Sequence, residues 1–133
     1  DVQGALRVGL LPTDMRVRPI VGNDALDVAE FGAVDRLLRV IAPPDANPAM
    51  LDGCYACMDA GLSALIETEG DDAKLVITGP VGSTTYDLQA MGPDLWDARA
   101  SGPLPLHATI ETGADGFRIS TGRTIRLPFA RVA

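Results

Sequence analysis

The chain of 133 residues is long enough for one ordinary domain, or for a small domain with an appendage. With 47% apolar and 22% charged residues it can bury a real core, which argues against disorder. A net charge of −7 argues against nucleic acid and anionic membrane as partners, since both need a basic footprint, and no apolar run approaches the roughly 18 residues of a membrane-spanning helix.

The opening Asp1-Val2-Gln3 has neither the basic region nor the apolar run of a signal peptide. Leu6 to Leu11 is a short apolar segment interrupted by Gly9 and ended by Pro12; Met15 to Val21 reads as a second extended piece. Asp24 stands where a helix cap belongs, and Asp27 where a first-turn acid would meet exposed amides. Phe31, Val34, Leu37, Leu38 and Ile41 then recur at helical spacing, with Asp35 and Arg39 four apart on the other side. Together these predict one amphipathic helix over about residues 24–41. Pro43-Pro44 ends it, and Pro43 to Pro48 reads as a proline-rich linker. Residues 1–49 are therefore an arm that cannot bury its own apolar face. The Phe31, Val34, Leu38 and Ile41 face is expected to dock on the rest of the chain, on a catalytic domain or on a second copy.

From Leu51 onward the pattern is all-β. Strands are expected over residues 53–58, 62–67, 74–78, 84–89, 95–99, 106–111, 116–120 and 124–130. Every connection contains Gly, and most add Asp or Pro, the residues that hairpin turns require. Eight short strands joined by tight turns over residues 50–133 predict an antiparallel up-and-down barrel, whose closure removes exposed sheet edges. Alternation turns Leu75 and Ile77, then Leu106, Ala108 and Ile110, then Phe117 and Ile119, then Ile125, Leu127 and Phe129 inward. Trp96, the single tryptophan, follows the Met91-Gly92-Pro93-Asp94 turn and is expected to plug the barrel. A barrel of eight strands is just wide enough to be filled by side chains or to hold one small ligand.

Residues able to do chemistry are few. Cys54 and Cys57 form one Cys-x-x-Cys; a structural zinc site needs two more such ligands, and positions three apart on a strand face opposite ways. No metal and no cofactor is expected, and the pair reads as two small strand residues. His107 falls on the outer face by alternation and reads as a solvated strand histidine. Glu67 and Glu69 share a strand face and Asp71-Asp72 sit in a turn, without the facing geometry that glycoside hydrolysis needs. Asp94 and Asp97 flank the Trp96 region. Arg118, Arg123 and Arg126 form either a small basic patch or cross-strand pairs with Glu111 or Asp115.

One resemblance stands out. Gly53-x-Tyr55, Gly61-Leu62, the strand ending at Glu67, Leu75-Val76-Ile77-Thr78-Gly79, Met91-Gly92-Pro93-Asp94-Leu95-Trp96 and the Phe129-x-Arg131-Val132 ending together resemble the C-terminal lipocalin-like β-barrel of β-lactamase-related serine hydrolases of the D-aminopeptidase kind. The resemblance covers about residues 50–133. It implies an accessory domain that carries no catalytic residue of its own and lends a loop, Gly79 to Gly82 or Ser101 to Leu104, to the substrate cleft of a separate catalytic domain.

The chain's own motifs agree with a non-catalytic role. No serine is followed by Lys at the Ser-x-x-Lys spacing, Lys74 is the only lysine, and no Gly-x-Ser-x-Gly occurs. Ser120-Thr121-Gly122-Arg123 resembles a Lys-Thr-Gly strand motif without its lysine and reads as a turn. Two other readings are a free-standing binder of a small apolar ligand, lined by Tyr55, Tyr86, Trp96 and Phe117, and an oligomerisation module working through the arm. A filled interior favours the accessory reading, and a cavity of about 300 Å³ or more favours the binder.

Overall fold

The computed structural model describes residues 6–7, 15–22, 24–43, 45–103 and 106–132. The chain divides into two units, residues 1–40 and 41–133.

The first unit is a four-stranded antiparallel sheet in the order β1 (Leu6–Arg7), β2 (Arg16–Ile20), β3 (Ala25–Glu30), β4 (Ala33–Leu38). This corrects the expected helix over about 24–41: the described residues contain no α-helix, and the segment is a β-hairpin. The reason lies at Phe31-Gly32. Both adopt positive φ, 49° and 82°, the backbone of a type I′ two-residue turn. Gly32 supplies that conformation freely, and the two six-residue runs on either side each fit a strand. The helical spacing of Phe31, Val34, Leu38 and Ile41 is thus incidental. Phe31 sits at the hairpin tip, Val34 and Leu38 lie on β4, Ile41 follows the strand, and all four are exposed. Asp24 and Asp27 are not helix-start residues either. Asp27 lies opposite Arg36 on β3–β4 and opposite Arg18 on β2–β3. The extended piece expected over 15–21 is β2, while residues 8–11 of the first expected segment lie outside the described residues.

The second unit is a closed eight-stranded antiparallel barrel. Its strands are β5 (Gly53–Cys57), β6 (Leu62–Glu69), β7 (Asp72–Gly79), β8 (Gly82–Gly92), β9 (Leu95–Ala100), β10 (His107–Gly113), β11 (Gly116–Ser120) and β12 (Leu127–Arg131). Each pairs with the next, and β12 returns to β5. A short 3-10 helix, Pro48–Leu51, precedes the barrel. Asn47 caps it by accepting a hydrogen bond from the Ala49 amide at 3.0 Å, with Pro48 in the first position where no amide is needed.

The strand alternation fills the barrel. Side chains from all eight strands meet in one cluster along its axis, in which Ile66, Leu75 and Ile110 are completely buried and Phe129 nearly so. Small residues, Ala64, Ala73, Ala98 and Ala108, take turns with the large ones so that the layers interlock. Tyr55, Phe117 and Phe129 form an aromatic stack, with Phe117 edge-on to Tyr55 at 5.0 Å and parallel to Phe129 at 4.9 Å. Two expected inward positions are corrected. Leu106 precedes β10 and is half exposed; Ile125 is 84% exposed because residues 121–126 form a turn before β12. Within that turn Arg126 has φ 54°, and the Thr121 hydroxyl accepts from the amides of Arg123 and Thr124. Ser120-Thr121-Gly122-Arg123 therefore runs off the end of β11 into this turn.

Candidate functional site

The seam where β12 meets β5 is the weakest point of the ladder by length. Only Ala130↔Ala56 and Arg131↔Tyr55 are in register there. Arg131 reinforces it. Its guanidinium donates to the Asp52 carbonyl at 2.8 Å, to the Met50 carbonyl at 2.9 Å and to the Tyr55 hydroxyl at 2.7 Å. It also lies 5.0 Å from the centre of the Tyr55 ring, within cation–π range. The Tyr55 hydroxyl in turn donates to the Leu51 carbonyl at 2.5 Å. Burial pushes the Tyr55 phenol above its ordinary pKa, against the opposing pull of the Arg131 charge. One side chain thus ties the last strand, the first strand and the 3-10 helix together. The planar fork of arginine spreads its donors to these separate acceptors in fixed geometry, which the compact lysine ammonium does not match. Arg131→Ala is expected to destabilise the barrel by about 2 kcal/mol, since these are charge-assisted bonds at a partly solvated site. Arg131→Lys should recover less than half of that loss, read from urea-denaturation midpoints.

Beside this seam, at one rim of the barrel, lies a cavity of about 500 Å³. The β8–β9 turn contributes Pro93 and Asp94, β9 contributes Trp96, the end of β10 at the β10–β11 turn contributes Thr112, and the segment before β5 contributes Asp45, Met50 and Leu51. A hydrogen bond from the Thr112 amide to the Asp94 carbonyl, 2.9 Å, holds the two turns together. Trp96 reaches this place because β8 carries a bulge between Ala90 and Gly92, which leaves Met91 unpaired and bends the strand into the turn. The indole is 7% exposed, so it forms the floor of the cavity as well as part of the core. Asp45 and Asp94 are exposed on the wall, and among the described residues the lining contains no basic side chain, histidine, serine or cysteine. This arrangement offers a ligand apolar contact, two carboxylates and the Thr112 hydroxyl.

The other residues of the sequence-based ligand set lie deeper. Tyr55, Tyr86 and Phe117 are all buried in the barrel cluster, and burial raises the Tyr86 phenol as well. Trp96 is the member of the four that borders the rim cavity.

Chemistry-bearing residues elsewhere are spread over the surface. His107 faces outward, 3.7 Å from Asp97, which accepts a 2.6 Å hydrogen bond from Arg99. Asp97 is the acidic neighbour that sequence spacing does not offer; β9–β10 pairing brings it across, opposite Thr109. Arg126, in the turn before β12, pairs with Glu111 of β10 at 3.1 Å, a turn-to-strand contact and not a cross-strand pair. Cys54 is exposed and Cys57 buried, both as free thiols. Among the described residues no group of three or more His, Cys, Asp or Glu is placed to hold a metal ion.

In the first unit Asp27 is 7% exposed and accepts from Arg36 at 2.8 and 3.1 Å and from Arg18 at 3.3 Å. The bidentate Arg36 bond is the main cause that holds its carboxyl below the ordinary pKa, while burial pushes the other way. Sequence reasoning missed this cluster. A turn centred on Phe31-Gly32 would have placed residue 27 opposite residue 36. Compared with known proteins, the chain matches no protein-family model and no curated sequence.

Proposed function

We propose that the barrel is a non-catalytic accessory module that packs on the catalytic domain of a serine hydrolase and offers it a rim loop. The observation that carries this reading is the packed barrel axis. Ile66, Leu75, Ile110 and Phe129 are buried or nearly so along it, the filled interior that an accessory role calls for. The Gly79 to Gly82 hairpin projects Val81 fully into solvent, as a contact loop requires. The Ser101 to Leu104 loop is exposed at Ser101, Gly102 and Pro103, and Leu104 lies outside the described residues. In this role the domain acts by shape and contact, and the chemistry belongs to its neighbour.

The purified chain is expected to turn over no D-amino-acid anilide, p-nitrophenyl ester or chromogenic β-lactam. Turnover that disappears when one of its own serines is replaced would end the proposal.

A second reading, small-ligand binding, is favoured by the rim cavity, whose 500 Å³ lies within the roughly 300–1,000 Å³ of small-molecule pockets. A ligand seated there would contact Trp96 and alter the emission of the single tryptophan.

A further inference from the structure

We propose that β4 is an interface strand through which two copies of this chain pair antiparallel in one register, with Leu37 against Leu37 and Asp35 against Arg39 across the axis. The inference goes beyond the accessory role and rests on the first unit alone.

β4 lies at one edge of its sheet, and all six of its residues are exposed. Val34, Leu37 and Leu38 expose 64, 52 and 71% of their surface, an apolar load that soluble edge strands ordinarily avoid. The hydrogen-bond phase of the strand is set by the hairpin. The Arg39 amide donates inward to the Asp24 carbonyl at 2.7 Å, so the backbone polar groups of residues 35, 37 and 39 face β3. Those of Val34, Arg36 and Leu38 consequently face the edge, which no described strand covers.

Two copies joined edge to edge by a twofold axis keep each sheet face continuous, so residues directly opposite differ by an even number. That leaves few registers. One sets Arg36 against the partner's Arg36, and another sets Asp35 against the partner's Asp35; both oppose like charges. Sliding by one step brings Leu37 onto its own copy at the axis and puts Asp35 opposite the partner's Arg39, twice by symmetry. In this register the Leu37 and Asp35–Arg39 pairs fall at non-hydrogen-bonded positions, where side chains approach most closely. The remaining charge on the strand, Arg36, is already neutralised by Asp27. Arg39 is held only loosely by Asp24, at 3.8 Å with both side chains largely exposed, and is available to a stronger partner.

Sedimentation velocity over about 1 to 100 µM protein tests the proposal, a range that spans dissociation constants typical of modest homodimers. The unaltered chain should dimerise. Asp35→Arg and Arg39→Asp should each weaken the dimer at least about tenfold, and the doubly exchanged Asp35→Arg/Arg39→Asp chain should regain it. In a Cys54→Ser background, Leu37→Cys should form an intermolecular disulfide on mild oxidation and Leu38→Cys should not, because only position 37 meets its own copy. A chain that stays monomeric throughout, single charge reversals without effect, or an exchanged pair that fails to restore association would overturn the proposal. A dimer cross-linked through position 38 in place of 37 would overturn the register.

Discussion

Phe129→Ala should cost the barrel about 4 kcal/mol, in the middle of the range for truncating a buried aromatic. Phe129 is 2% exposed and stacks at 4.9 Å on Phe117, which in turn meets Tyr55 edge-on. Its removal deletes one end of a three-ring stack and leaves a void beside β11, to which β12 is paired at Phe117↔Phe129. The ladder to β11 limits collapse into the space, so a cavity penalty adds to the lost burial. Trp96→Ala removes a larger side chain but should cost less, about 3 kcal/mol. One flank of the indole already borders the rim cavity, where water and the segment before β5 can fill part of the gap. Against a typical domain stability of roughly 5–15 kcal/mol, either loss is large. Urea denaturation of both variants reads the ranking. An unchanged midpoint for Trp96→Ala would mean that the indole contributes nothing to the core.

The same contrast between middle and rim explains what could be read from the sequence. The eight barrel strands were legible because two independent signals agree at each one. Alternation marks the strand, and Gly with Asp or Pro marks the turn, as at Thr112-Gly113-Ala114-Asp115. Even the ends fall close: residues 116–120 were expected and Gly116–Ser120 is observed. In the arm the two signals conflict. Phe31, Val34, Leu37, Leu38 and Ile41 satisfy a period of 3.6, while Gly32 in the centre argues for a turn. The turn wins because Phe31-Gly32 closes a two-residue hairpin whose strands bring Asp27 to Arg36 and Arg18. A helix would have scattered those charges. Ile125 was misplaced for a related reason, since alternation counted back from Phe129 ignores the turn at Arg126. The seam lay beyond reach altogether. Arg131 binds carbonyls 79 and 81 residues away, and backbone acceptors leave no mark on side-chain pattern. The rim cavity is hidden likewise, because it is built from the segment before β5 and two turns that meet only once the barrel has closed.

Gly116→Ala is expected to destabilise the barrel by about 3 kcal/mol, out of proportion to one methyl group. A Cβ at this position would overlap the carbonyl oxygen of Phe129, and would stand 3.0 Å from its carbonyl carbon and 3.1 Å from the Ala130 Cα. All three are backbone atoms of the neighbouring strand, so no rotamer change relieves the clash; β12 itself must move away. Gly116 pairs with Ala130, and the next residue along, Arg131, is both half of the two-residue closing register and the donor of the seam's side-chain bonds. The Arg131 amide also binds the Asp115 carbonyl beside Gly116, and the Val132 amide binds the Cys54 carbonyl across the seam. A displacement of β12 therefore loosens the barrel where its ladder is shortest. Gly79→Ala is the control. Its Cβ would press only on the Leu62 side-chain tip, 2.6 Å away, which can swing aside at a cost of about 1 kcal/mol. Hydrogen exchange separates a local from a global effect. In Gly116→Ala the amides of Arg131 and Val132 should lose protection well before those of β6 and β7. Equal loss across all strands would mean that β12 does not open by itself, and that closure and core packing fail as one unit.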